Sequence, residues 1–231
     1  PDETSIWRMP KRRLEAESIR DAMLAAGGLL EIEPPTGSAA SGLEGAVREN
    51  ILDRFLGLTA AEYADHRSVY LPVVRGGVPE SLAVFDFPEP NFVKGTRDKT
   101  NVATQALYLM NSDEITRMAD AMADRVLGLE ENQKSQVELA FRIAFGRTPS
   151  AHEFIACRDF LREFRTAWIS DQQESTASLT PAQRRQQARR ENASRRNRNN
   201  AGMTTLPDAD LMAFSALCQT LFQSAEFRTL D

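Results

Sequence analysis

The residues best suited to chemistry fall in the middle of the chain. Arg67, Tyr70, Arg75, Asp86, Arg97, Thr100, Thr104, Gln105 and Asn111 crowd into one non-helical stretch and its flank. Guanidinium forks bind carboxylates bidentately, whether in a ligand or in the protein itself. Two readings follow. One is a polar pocket for an anionic or sugar-like ligand. In its enzymatic form Asp86 would work with a second carboxylate, as in polysaccharide hydrolysis, which needs two carboxyl groups about 5–9.5 Å apart. The other is an internal network of arginine, aspartate and amide groups that ties irregular backbone to helices. Buried backbone groups in such segments need partners, so the second reading is preferred and no catalytic residue is assigned.

The second conspicuous feature is a run of arginines: Arg184, Arg185, Arg189, Arg190, Arg195, Arg196 and Arg198. It suits an anion-binding arm, but it contains no aromatic residue for base stacking. A solvated charged insert is the preferred reading, and nucleic acid is not an expected partner.

Composition closes off several other chemistries. Two cysteines and two histidines in 231 residues exclude a four-thiolate zinc site, an iron–sulfur cluster and a three-histidine metal site. His66 and His152 show no metal-binding spacing, so no metal site is expected. No Cys-x-x-Cys-His occurs, so the chain itself carries no covalent haem and no cofactor is expected in it. The net charge of −5 argues against a globally basic nucleic-acid binder. No apolar run reaches the ~20 residues that span a bilayer. A start at Pro1 rather than Met suggests a piece of a longer protein.

The elements that must position these residues are mostly helical. Apolar spacing predicts a helix over 12–26 capped by Gly27-Gly28, another over 44–56, and a capping box at 59–62. Residues 67–74 and 82–87 read as short strands, the first with Pro72 inside it and Gly76-Gly77 as a turn, which together would form a hairpin. Helices resume at 102–110. Asn111 is then expected to cap the next one, with Glu114 closing a box. A further helix around Val137 to Ala144 ends at Gly146. The next opens either at Thr148-Pro149 or with a box of Ser150 and Glu153, and carries Phe154, Cys157, Leu161, Phe164 and Trp168 on one face. Residues 171–205 read as a long disordered insert, and a last apolar helix covers about 208–226. The expected fold is mainly α: a helical bundle-like body, one domain over 1–231, with a short hairpin or extended segment. Cys157 and Cys218 fall on apolar helix faces, compatible with either one disulfide or two buried thiols.

A set of residues in order carries a family resemblance. It includes Trp7-Arg8-Met9, Arg13-Leu-Glu-Ala-Glu17, Ile19-Arg-Asp-Ala22, Arg67-Ser-Val-Tyr70, Arg75, Phe85-Asp86 and Arg97. It continues with Thr100, Thr104-Gln-Ala-Leu107, Asn111, Gly146-Arg-Thr-Pro149, Glu153 and the closing stretch 216–227. From Trp7 onward the chain resembles the planctomycete-specific domain of unknown function that follows planctomycete cytochrome c domains. The resemblance implies an extracytoplasmic location and a haem c domain upstream in the full-length protein. It implies other domains of the same polypeptide as partners, and leaves a glycan as a further one. It brings no activity or catalytic residue, so a non-catalytic structural or interaction module is the expectation.

Overall fold

A computed structural model describes residues 11–37, 64–73, 78–178 and 208–230. The mainly α expectation holds. The described elements are β1 (Arg12–Arg13), α1 (Ala16–Gly27), α2 (Glu80–Ala83), α3 (Ala103–Asn111), α4 (Asp113–Leu129), α5 (Gln133–Phe145), α6 (Ala151–Ser178), α7 (Asp208–Gln223) and β2 (Thr229–Leu230). Short 3-10 turns occupy Ser68–Tyr70 and Glu226–Arg228. Chain contacts divide the protein into two compact units, Pro1–Met118 with Phe222–Asp231, and Ala119–Leu221.

In the first unit, α1 forms because Ile19, Met23, Leu24 and Ala26 share a face, and all are buried. It ends at Gly28, whose φ of 72° is left-handed. Gly28 N–H donates to Ala25 O, and Leu29 N–H to Leu24 O. This paired pattern satisfies carbonyls that the helix end would leave bare. Leu82, Phe85, Leu109, Ile115, Met118, Phe222 and Phe227 complete this unit's core.

The middle of the chain corrects the sequence reading. Residues 82–87 are not a strand. Glu80–Ala83 is a single helical turn after Pro79, and it brings Leu82 and Phe85 to one buried side. Asp86 closes it with a φ of 67°, the role glycine plays at Gly28. Asp86 N–H donates to Ala83 O, and Phe87 N–H to Leu82 O. Residues 68–70 form a 3-10 turn rather than a strand, because Asp21 Oδ1 accepts from both Ser68 N (2.7 Å) and Ser68 Oγ (2.6 Å). The expected hairpin is therefore absent from this stretch. Among the described residues the paired strands are β1 and β2, antiparallel, with Arg12 opposite Leu230. A parallel bridge also joins Glu31 and His66.

The second unit packs Met122, Ala123, Val126, Val137, Ala140, Phe141, Leu161, Phe214 and Leu217, all buried. Asn132 Oδ1 caps α5 through Lys134 N, and Gly146 (φ 69°) ends it. Of the two openings predicted for α6, the capping box is the one found. Ser150 N–H donates to Glu153 Oε2 at 2.7 Å, and Glu153 N–H to Ser150 Oγ at 3.3 Å. Arg147 reaches Glu153 through both Nη atoms, at 3.0 and 2.7 Å, and lies over the rings of Phe141 and Phe145. The helix runs on to Ser178, so residues 171–178, expected to open a loop, continue α6. Residues 179–205 of the expected insert, the predicted helix at 44–56 and the capping box at 59–62 lie outside the described residues. Cys157 and Cys218 are both free, buried thiols. No helix among the described residues is long and apolar enough to cross a membrane.

Candidate functional site

Asp86 is the best-held member of the polar set. Its left-handed backbone turns the carboxylate toward β1 and the strand-like approach to α3. Oδ1 accepts from Thr100 Oγ1 at 2.7 Å. Oδ2 accepts from Arg13 Nη1 at 2.8 Å and from Thr100 N at 2.9 Å. Arg13 Nη1 also donates to Thr100 O. Gln105, fully buried on α3, donates from Nε2 to Thr100 Oγ1 at 3.2 Å. Burial pushes the Asp86 carboxyl up, but the Thr100 and Arg13 donors outweigh it and hold the group below its ordinary 3.8.

Arg97 is occupied separately. Its Nη1 and Nη2 grip Glu17 Oε2 and Oε1 at 2.6 and 2.8 Å, and Nη1 also meets Glu15 at 2.8 Å. The guanidinium lies 5.3 Å from the centroid of the Phe87 ring. The bonds to Glu17 raise the Arg97 pKa despite opposing burial. On the Glu17 side burial pushes up, and Arg97 pulls the net value down.

The rest of the set disperses. Arg67 Nε stands 3.6 Å from Asp21 Oδ2. Asn111 is the last residue of α3 and donates to Leu107 O within its own helix at 2.9 Å, rather than capping α4. Tyr70 and Thr104 face solvent. Arg75 and the arginines at 184, 185, 189, 190, 195, 196 and 198 lie outside the described residues. Asp86 and Arg97 do line one shallow depression, with Arg13, Glu15, Asp98 and Lys99. It offers about 20 Å³, room for one or two waters. Each carboxylate around it is already paired: Glu15 with Arg12 and Arg97, Asp86 with Arg13, Asp98 with Lys94.

A deeper cluster escaped the sequence reading. Arg20 is 2% exposed and Glu114 3%. Arg20 Nε donates to Glu114 Oε1 at 2.8 Å, Nη2 to Ala64 O at 2.6 Å, and Nη1 to His66 O at 3.2 Å. Tyr108 Oη donates to Glu114 Oε2 at 3.1 Å. Arg117 Nη1 meets Asp65 Oδ1 at 2.8 Å. The expected Asn111–Glu114 capping box is thus replaced by a buried ion pair. The signal in the sequence was Arg20 itself, a cation placed between Ile19 and Met23 on an apolar helix face. Such a charge requires a partner.

The geometry is that of a brace. Arginines from β1, α1 and the loop before α3 join carboxylates to backbone groups of irregular segments. Comparison with known proteins adds family membership. No curated protein and no solved structure gives a significant match. The model of the PSD1 family matches residues 1–161, a span that takes in β1 through the first turns of α6. The closing stretch 216–227 lies beyond it. The chain therefore belongs to PSD1, described as a protein of unknown function (DUF1553).

Proposed function

We propose that this chain is a non-catalytic interaction module of a larger, extracytoplasmic, multidomain protein, one that packs against neighbouring domains. Its planctomycete setting and an upstream cytochrome c domain holding haem c are parts of the same proposal, and both rest on the resemblance given above. The observation that carries the non-catalytic reading is the state of Asp86. Both of its oxygens are engaged by Arg13 and Thr100, and its pKa is lowered. A general acid needs the opposite shift, and a nucleophile or base needs a free lone pair facing substrate. A depression of water size beside it gives a sugar ring no seat.

The test compares amide exchange in the longer polypeptide with that in this 231-residue chain. Packing against neighbours predicts slower exchange over residues 11–20 in the longer protein. Equal rates throughout the chain would count against the module reading. Hydrolysis of a polysaccharide by this chain, lost on Asp86→Asn, would replace it with the enzymatic one.

A further inference from the structure

Helix α3 is apolar on two opposite faces. Gln105 and Leu109 point inward and are fully buried. Ala103, Ala106, Leu107 and Met110 lie on the other side, at i, i+3, i+4 and i+7, a stripe about 100° wide. All four are exposed, Leu107 to 56%. Val102, 46% exposed, extends the stripe at the N-terminal end. No charged residue occurs from Thr100 to Ser112, although 26% of the chain is charged. A helix apolar all round belongs inside a protein, yet one face of this one meets water.

We propose that this face of α3 seats an uncharged, apolar helix face supplied by a neighbouring domain of the same polypeptide. The inference rests on the interaction-module reading and names its surface. Three features select the occupant. Ala103 and Ala106 are small, so a partner helix can approach closely and pack around Leu107 as a ridge. The stripe has no charge, so a nucleic acid or a charged peptide would be stripped of water without gaining a counter-charge. The stripe is also short. Its five side chains, Val102 included, compare with ~20–30 residues a side in a stable free-standing interface. An untethered second copy would fall off such a surface. A tethered domain meets it at about millimolar effective concentration and stays docked on a small area.

The test uses Ala106→Arg, which places a long cation in the middle of the stripe at an exposed position and should leave the melting temperature of the 231-residue chain unchanged. In the longer polypeptide, amides of residues 103–110 should exchange at least about tenfold more slowly than in this chain, and Ala106→Arg should abolish the difference. The 231-residue chain should sediment as a monomer. Exchange at 103–110 that is equal in the two proteins overturns the inference. If residues 11–20 are still protected in the longer protein, the module reading survives and only the surface is wrong. If nothing is protected, both fall. A dimer of the 231-residue chain that Ala106→Arg dissolves would assign the face to a second copy and overturn the proposal.

Discussion

Removing Arg20 should be among the most damaging single changes in this chain, and the structure sets the size and pH dependence of the effect. In Arg20→Met the buried pair with Glu114 is broken from one side. Leaving one member of a buried pair alone costs about 3–5 kcal/mol. The bonds to Ala64 O and His66 O also go. They sit at a partly buried rim where water replaces them in part, adding roughly 0.5–1 kcal/mol together. The expected loss is about 4–6 kcal/mol, a third or more of the stability of many domains. At ~2–4 °C per kcal/mol for a chain of this size, the melting temperature should fall by roughly 8–24 °C. The pH dependence follows from Glu114. Burial raises its pKa above 4.5 while Arg20 pulls it down, so removing Arg20 raises it further. A carboxyl whose folded pKa is raised stabilises below its unfolded value, and that stability is lost as pH rises through the folded value. In the variant the loss continues to higher pH, so the difference from the parent should be large at pH 7 and shrink toward pH 5. Arg20→Met combined with Glu114→Leu should recover at least half of the loss. Urea and thermal unfolding at both pH values measure all of this. A cost under about 1 kcal/mol at pH 7, or one that grows as pH falls, would refute the reasoning.

Other substitutions probe the remaining contacts. Asp86→Ala removes three charge-assisted bonds and puts a residue poorly suited to φ 67° at the end of α2; it should cost about 2–4 kcal/mol. Asp86→Asn, which tolerates the left-handed conformation, should cost clearly less, and equal losses in urea melts would contradict the geometry. Glu153 is held at about 2 by Arg147 and by the Ser150 donors, so it contributes stability above 4.5 that is lost as pH falls toward 2. Glu153→Gln should flatten the stability profile in that window, and an unchanged slope would remove the lock. Cys157 and Cys218 are buried, with burial raising both thiol pKa values. A thiol reagent should therefore label neither before unfolding, and rapid labelling of the native chain would show that the second unit opens.

Where helical periodicity and stop signals agreed, the sequence was legible. Gly28 and Gly146 both adopt the left-handed caps that glycine signals. The Ser150–Glu153 box opens α6 as its spacing suggests. Residues 82–87 misled because Leu82, Val84, Phe85 and Phe87 fit an alternating pattern nearly as well as a helical turn. What decides is a helix stop supplied by Asp86 rather than glycine, and nothing local marks an aspartate for that role. The polar set was legible as a network but not in its pairings. Asp86 finds Arg13 across 73 residues of chain, and Arg97 finds Glu17 across 80. Residue type alone leaves those choices open, and the packing of α1 beside α2 makes them.

The claim that the polar centre braces the fold can be measured at one atom group. Titration of the Asp86 carboxyl carbon by NMR, with the Thr100 amide followed in parallel, reads directly whether that carboxylate is engaged. The account predicts a midpoint below 3.8, with the Thr100 amide shifting in step as its acceptor is protonated. A midpoint above the ordinary carboxylate range, with Thr100 unmoved, would mean that Asp86 stands free in a site of its own.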